Sequence, residues 1–218
     1  MHESEGDKGR RARTRARIRD HAHRLFDQHG YAAVTMADIA RDAGVAIQTI
    51  FNNFSSKEEL FFDGRTPWVD GPAAAVRGRP GGADPLDALR DHLLASVRGY
   101  LRSSDDSDRA RFLEVVEASP ALRAHERVLV LEAESRLRVA LAEAWPAEAA
   151  EARTEAAVIA AAWLAITRSL LAVEGGVARP ELDPEQLADG VTMVSRMVLE
   201  TLRAGVARLV GIAVQAAS

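Results

Sequence analysis

Apolar side chains recur along this chain at three- and four-residue intervals and almost nowhere at every second position. That spacing predicts amphipathic helices rather than strands. Only residues 206–214 gather several β-branched side chains, and there Gly211 interrupts the run and clean alternation is missing. Across residues 10–29, Ile18, Ala22, Leu25 and Phe26 fall at i, i+4, i+7 and i+8, one stripe that stops at Gly30. Thr35 then opens a second helix. Thr35 and Asp38 have capping-box spacing, Met36, Ile39, Ala40 and Ala43 form the inward face, and Gly44 ends the element. A third helix is expected from 46 or 47 to 53. Ser56-Lys-Glu-Glu59 caps a fourth that carries Leu60, Phe61 and Phe62.

These elements define a first domain over residues 10–62, behind a polar leader, 1–9, expected to be disordered. Residues 63–85 hold Gly64, Pro67, Gly71, Pro72, Gly78, Pro80, Gly81, Gly82 and Pro85, which predicts a connector without a long helix. Helices follow at about 86–103, 108–118, 120–144, 147–174, 184–203 and 205–216, with Pro120 and Pro146 at or near helix starts. The expected fold is all-α, with nine or ten helices and a larger second domain over 86–218.

The chain has 218 residues, 47% of them hydrophobic and 28% charged, enough to bury a sizeable core. Its lack of cysteine removes disulfides, thiolate metal sites and thiol nucleophiles. No apolar run is long enough to span a bilayer, the N-terminus lacks a signal-peptide pattern, and the expected compartment is the cytoplasm. Charge is unevenly placed: residues 8–24 carry eight basic side chains against Asp20 alone, whereas residues 61–218 carry 18 basic and 23 acidic ones. A basic end on an acidic protein fits a nucleic-acid partner, or else a solvated leader.

Residues 36–54, MADIARDAGVAIQTIFNNF, have the layout of a helix-turn-helix. Ala40 is small where two helices cross, Gly44 permits the positive φ of a tight turn, and Ile50 closes a small core with Leu25, Phe26, Ile39, Val45 and Phe54. Ile47, Gln48, Thr49 and Asn52 then project outward. Gln and Asn pair bidentately with adenine, Thr bonds either way, and Ile47 or the Thr49 methyl meets a thymine methyl. A plain helical hairpin with a polar face has the same spacing.

From Arg15 to Leu60, with HRLFDQHGYAAVTMADIARDAGVAIQTIFNNFSSKEEL at its heart, the sequence closely resembles the DNA-binding domain of the TetR family of transcriptional regulators. The resemblance implies an N-terminal three-helix DNA-binding domain and a C-terminal domain that binds a small-molecule effector and dimerises. By that resemblance Thr35 and Lys57 meet phosphates at helix starts, and Arg13 and Arg17 meet phosphate or a neighbouring groove. Gln48, Thr49 and Asn52 take base-edge or adjacent backbone roles, and Ile47, Phe51 and Asn53 are counted with them as DNA-binding residues. Two positions depart from the family pattern. Phe51 stands where Tyr is usual, so a hydroxyl contact to phosphate is missing, and Ala46 replaces a capping Ser or Thr, at about 1 kcal/mol of local helix stability.

Beyond Pro85 the resemblance is architectural. His92, Ser96 and Tyr100 share one side of a helix, Trp163 and Thr167 are four apart on another, and Phe112 is placed to approach them. They line a pocket for a mostly hydrophobic molecule, or they are plain core. Leu187, Val191, Val194, Val198 and Leu202 make a stripe that suits a homodimer bundle or intramolecular burial. The histidines offer no convincing metal set, and no cofactor motif occurs. GxSxG, HExxH, Ser-x-x-Lys and a glycine-rich phosphate loop are all absent, so nothing nominates an enzyme. The sequence therefore points to a ligand-responsive regulator, a repressor that binds a palindromic double-stranded operator as a homodimer. Its alternative is a helical lipid or small-molecule carrier whose N-terminal domain no longer reads DNA.

Overall fold

The computed structural model describes residues 5–102, 106–145 and 149–176, with 189, 190, 193, 196, 197, 200, 201 and 204 beyond them. Among the described residues there is no strand. The helices are α1 (Glu5–His29), α2 (Met36–Asp42), α3 (Ile47–Phe51), α4 (Lys57–Phe62), α5 (Pro67–Arg77), α6 (Pro85–Arg102), α7 (Asp106–Ala118), α8 (Pro120–Ala144) and α9 (Ala149–Gly176). The described residues between 189 and 204 are helical as well, and the expected helix at 205–216 lies outside the described residues.

Two stretches differ from the sequence expectation. Helix α1 begins at Glu5, so part of the polar leader is helical. Within the Gly/Pro-rich connector an 11-residue helix, α5, also forms. Pro67 stands at its first position, where a fixed φ helps and no donor is lost. Pro72 lies inside it, a helix-breaking position, but Val69, Pro72, Ala73 and Val76 are buried together. Tertiary burial of that face offsets the local cost.

The chain divides into two compact units, residues 1–66 with 119–125, and 67–118 with 126–218. In the first, Ile18, Ala22 and Phe26 of α1 are buried with Ile39 and Ala40 of α2, Ile50 of α3, Phe54, and Leu60, Phe61 and Phe62 of α4. Leu25 and Val45, expected in this core, are only half-buried. Aromatic packing takes more of the interior than the sequence suggested: Phe61 lies 5.8 Å from Phe26 and 5.2 Å from Tyr31, ring centre to ring centre, near edge-on to Tyr31. Leu122 is buried, and His125 stacks on Phe62 at 5.5 Å.

In the second unit the core draws on α5, α6, α8 and α9. Leu86, Leu89 and Leu93 of α6, Ala133, Leu137, Ala140 and Leu141 of α8, and Ala156, Ile159, Ala160, Trp163 and Leu164 of α9 recur at helical spacing and pack as one cluster with the buried face of α5. The Arg79 guanidinium donates to the carbonyls of Val76 at 2.7 Å, Ala83 at 2.9 Å and Ala144 at 3.2 Å, satisfying backbone acceptors at the ends of α5 and α8.

Candidate nucleic-acid interface

The turn between α2 and α3 decides where α3 points. Gly44 has φ 62°, its N–H donates to Arg41 O at 3.2 Å, and the Val45 N–H donates to Ala40 O at 3.0 Å. This paired closure is a Schellman motif, and it needs the left-handed residue at its centre. At the other end of α2, Thr35 and Asp38 cap each other: the Asp38 N–H donates to Thr35 Oγ1 at 3.2 Å and the Thr35 N–H donates to Asp38 Oδ2 at 3.0 Å. The start of α3 has no side-chain cap, as Ala46 implies.

Helix α3 has a clear outer face. Ile50 is buried against the core, whereas Ile47 is 43% and Phe51 50% exposed, one turn apart. Gln48 and Asn52 are exposed beside them, and Gln48 Nε2 donates to Asn52 Oδ1 at 3.1 Å. An amide pair held together in this way is pre-oriented for base edges, and the two apolar side chains suit thymine methyls and sugars. Thr49 and Asn53 are half-buried, and Asn53 Nδ2 donates to Thr49 O at 2.8 Å. These two brace α3 from behind more than they face outward.

The arginines of α1 divide by role. Arg15 turns inward: it donates to Asp63 Oδ1 at 2.6 Å, to Glu59 Oε1 at 3.0 Å and to the carbonyl of Asn53, with its guanidinium 4.0 Å above the Phe54 ring. Arg19 pairs with Asp20 at 2.8 Å, and Arg24 with Asp42 at 2.6 Å. Arg13 and Arg17 are exposed, and neither makes an ion pair or hydrogen bond within the described residues. Their charge remains available to a polyanion.

Lys57 and Thr35 stand differently from the expectation. The Lys57 ammonium donates to Tyr31 O and Val34 O, both at 3.0 Å, and lies 4.2 Å from the Tyr31 ring centre. Burial holds its pKa below the usual lysine value. With two of its three donors occupied, it fixes the loop before α2 and keeps one N–H for an outside acceptor. Thr35 gives its hydroxyl proton to Asp38 Oδ2 at 2.6 Å as well as its N–H to the same oxygen, so neither is free for phosphate. A phosphate at this end would meet the first-turn amides of Met36 and Ala37 instead. The inward roles of Arg15 and Lys57 left no signal in the sequence, because a lysine or arginine in a basic run reads the same whether it turns inward or outward.

Residues 18–63 match the sequence profile of the bacterial regulatory proteins of the tetR family. Over that segment the chain is similar to the tetR family. Over 125 residues this chain is 32% identical to MftR of Mycobacterium tuberculosis, a protein named for transcriptional regulation of mycofactocin biosynthesis, covering 55% of this chain and 60% of MftR. Over 129 residues it is 33% identical to the HTH-type transcriptional regulator TcmR of Streptomyces glaucescens, 57% of each chain. It thus spans about six-tenths of the length of these curated relatives. Among solved structures, NalD, the secondary repressor of the MexAB-OprM multidrug efflux pump in Pseudomonas aeruginosa, shares its fold with a TM-score of 0.51 at 22% identity, covering 86% of this chain and 96% of NalD.

In the second unit the candidate pocket residues scatter. His92 is half-buried with its ring against the backbone of α5: a Cβ at Gly71 would lie 2.6 Å from His92 Cε1. Burial holds its pKa below the ordinary histidine value. Ser96 is exposed and donates to His92 O at 2.8 Å, Phe112 is half-buried on α7, and the side chain of Tyr100 lies outside the described residues. Trp163 and Thr167 are both buried on α9. Leu187, Val191, Val194, Val198 and Leu202 also lie outside the described residues, while Met193 and Met197, one turn apart, are exposed. Among the described residues no cluster of His, Asp or Glu is arranged to hold a metal, and no helix is long and apolar enough to cross a membrane.

Proposed function

We propose that this protein is a DNA-binding transcriptional regulator: a repressor that holds a palindromic operator as a homodimer and is released by a small, mostly apolar effector. The observation that carries this reading is the pairing of an outward α3 face, Ile47, Gln48, Phe51 and Asn52, with two uncompensated arginines, Arg13 and Arg17, on α1. Side chains that read grooves and side chains that neutralise phosphates occur in the same compact unit. The match of residues 18–63 to the tetR family and the similarity to relatives named as transcriptional regulators support it. The exposed Met193 and Met197 offer an apolar surface of the kind a second copy covers.

Release follows from population shift. An effector that binds better to an arrangement unable to span successive major grooves draws the protein towards it, and DNA affinity falls by the ratio of the effector's two affinities. The test is selection of bound DNA from a random duplex pool, then titration of the selected duplex across salt concentrations. A palindrome bound with a steep salt slope supports the reading. Absence of any enriched sequence, with weak binding only at low salt, favours the carrier.

A further inference from the structure

Two polar atoms buried in the second unit have no partner among the described residues. Trp163 is 2% exposed and Thr167 8%, and among the described residues Thr167 is the only buried polar or charged side chain. Within that set neither Trp163 Nε1 nor Thr167 Oγ1 makes a hydrogen bond. Buried polar groups are satisfied in more than about nine cases in ten, so two orphans together call for a physical cause. They are four residues apart on α9, which places them on one face, about 6 Å apart along the axis. Thr167 has a local remedy: a helical threonine can bond back to the carbonyl four residues earlier, here that of Trp163, and it does not.

We infer that Trp163 and Thr167 form a hydrogen-bonding subsite for an uncharged, mainly apolar molecule that carries a carbonyl-type acceptor. Each part of that description has a cause. The indole N–H only donates, so the occupant must accept. The hydroxyl either adds a second donor to the same oxygen or meets a neighbouring polar atom. Among the described residues no charged side chain is buried in this unit, so a charged occupant would lose its hydration without a buried counter-charge. A single water fits less well, because buried waters make about three hydrogen bonds and, among the described residues, this wall supplies two side-chain partners.

The inference rests on the reading of the second unit as an effector domain. It is tested on the full chain with benzophenone and diphenylmethane, which differ by one carbonyl oxygen, by titration calorimetry. The expected result is that benzophenone binds at least tenfold more tightly, and that Thr167→Val and Trp163→Phe each cut this preference to about twofold or less. Thr167→Ser, which keeps the hydroxyl, restores it. The ligand-free Thr167→Val protein melts at the same temperature or higher, because the change removes an unpaired buried group. Equal affinity for the two probes, no binding of either, or a preference that survives both substitutions overturns the assignment. A lower melting temperature for Thr167→Val does so too, by showing that the hydroxyl already has a partner such as water. DNA binding by the same preparations without probe is scored separately. Its loss with the carbonyl preference intact removes the regulator reading and leaves the subsite standing.

Discussion

Replacing Arg13, Arg15 and Arg17 one at a time by alanine separates two kinds of arginine that the sequence does not distinguish. Arg13 and Arg17 are exposed and unpaired in the described structure, so their removal leaves the folded unit unchanged and lowers the charge available to phosphate. Each phosphate contact contributes about 0.9 to the slope of log affinity against log salt, and a two-fold complex loses each contact twice. The slope should therefore flatten by about 1.8 for Arg13→Ala and again for Arg17→Ala. Arg15→Ala should behave oppositely. Its guanidinium joins α1 to Asp63, Glu59 and the Asn53 carbonyl, and lies over Phe54. The site is a third open to water, which brings each ion pair to about 0.5–1 kcal/mol, and the ring contact adds about 0.5–1 kcal/mol. Together these give a loss of about 2 kcal/mol in unfolding free energy. The assays are urea unfolding and anisotropy of a labelled duplex at several salt concentrations. A flattened slope for Arg15→Ala with unchanged stability, or destabilisation by Arg13→Ala, would refute the division.

Three other changes test the local physics. Gly44→Ala places a β-carbon on a residue at φ 62°, where nothing crowds it but the backbone is strained, and should lower stability by about 1 kcal/mol in urea unfolding, with Gly44→Asn milder. Gly71→Ala drives a methyl into the His92 ring, so the variant should lose about 1–3 kcal/mol and recover part of it in the Gly71→Ala/His92→Ala double variant. His23 is held neutral mainly by burial, with Arg65 adding to the effect, while its Nε2–H donates to Leu60 O at 3.1 Å. A lowered folded-state pKa means that the unfolded chain takes up the proton first. Stability should be full above pH about 6.5 and decline as pH falls below it. A shallower decline for His23→Gln in pH-dependent urea unfolding checks the sign.

Much of the first domain was legible because its determinants are local. The stripe of Ile18, Ala22 and Phe26, the Thr35–Asp38 cap and the Gly44 turn each act within a few residues, and each forms as the spacing predicts. What the sequence hid is long-range. Arg15 meets Asp63 across 48 residues and Lys57 closes onto Val34 across 23, so neither inward contact shows in the local pattern, where Arg15 stands in a basic run and Lys57 carries the phosphate role that the resemblance implies. Helix α5 was missed for a related reason. Its glycine and prolines argue against a helix locally, and only burial of Val69, Ala73 and Val76 against other helices tips the balance. In the second unit, apolar spacing located the helices but not which polar side chains lack partners. The orphaned atoms of Trp163 and Thr167 become visible only once the surrounding core is in place.

The measurement that bears most directly on the central claim is DNA selection run in parallel on the wild-type chain and on Gln48→Ala. Gln48 is exposed and bonded to Asn52, so its loss should leave the fold and the two-fold spacing intact while removing one base-edge contact per protomer. The account predicts a palindrome for the wild type and, for the variant, the same palindrome with preference relaxed at one symmetric pair of positions. A well-made bidentate contact discriminates by about 1–3 kcal/mol, so the change is large enough to read in the selected pool. Identical preferences at every position for both proteins would contradict the assignment of α3 as the element that reads DNA.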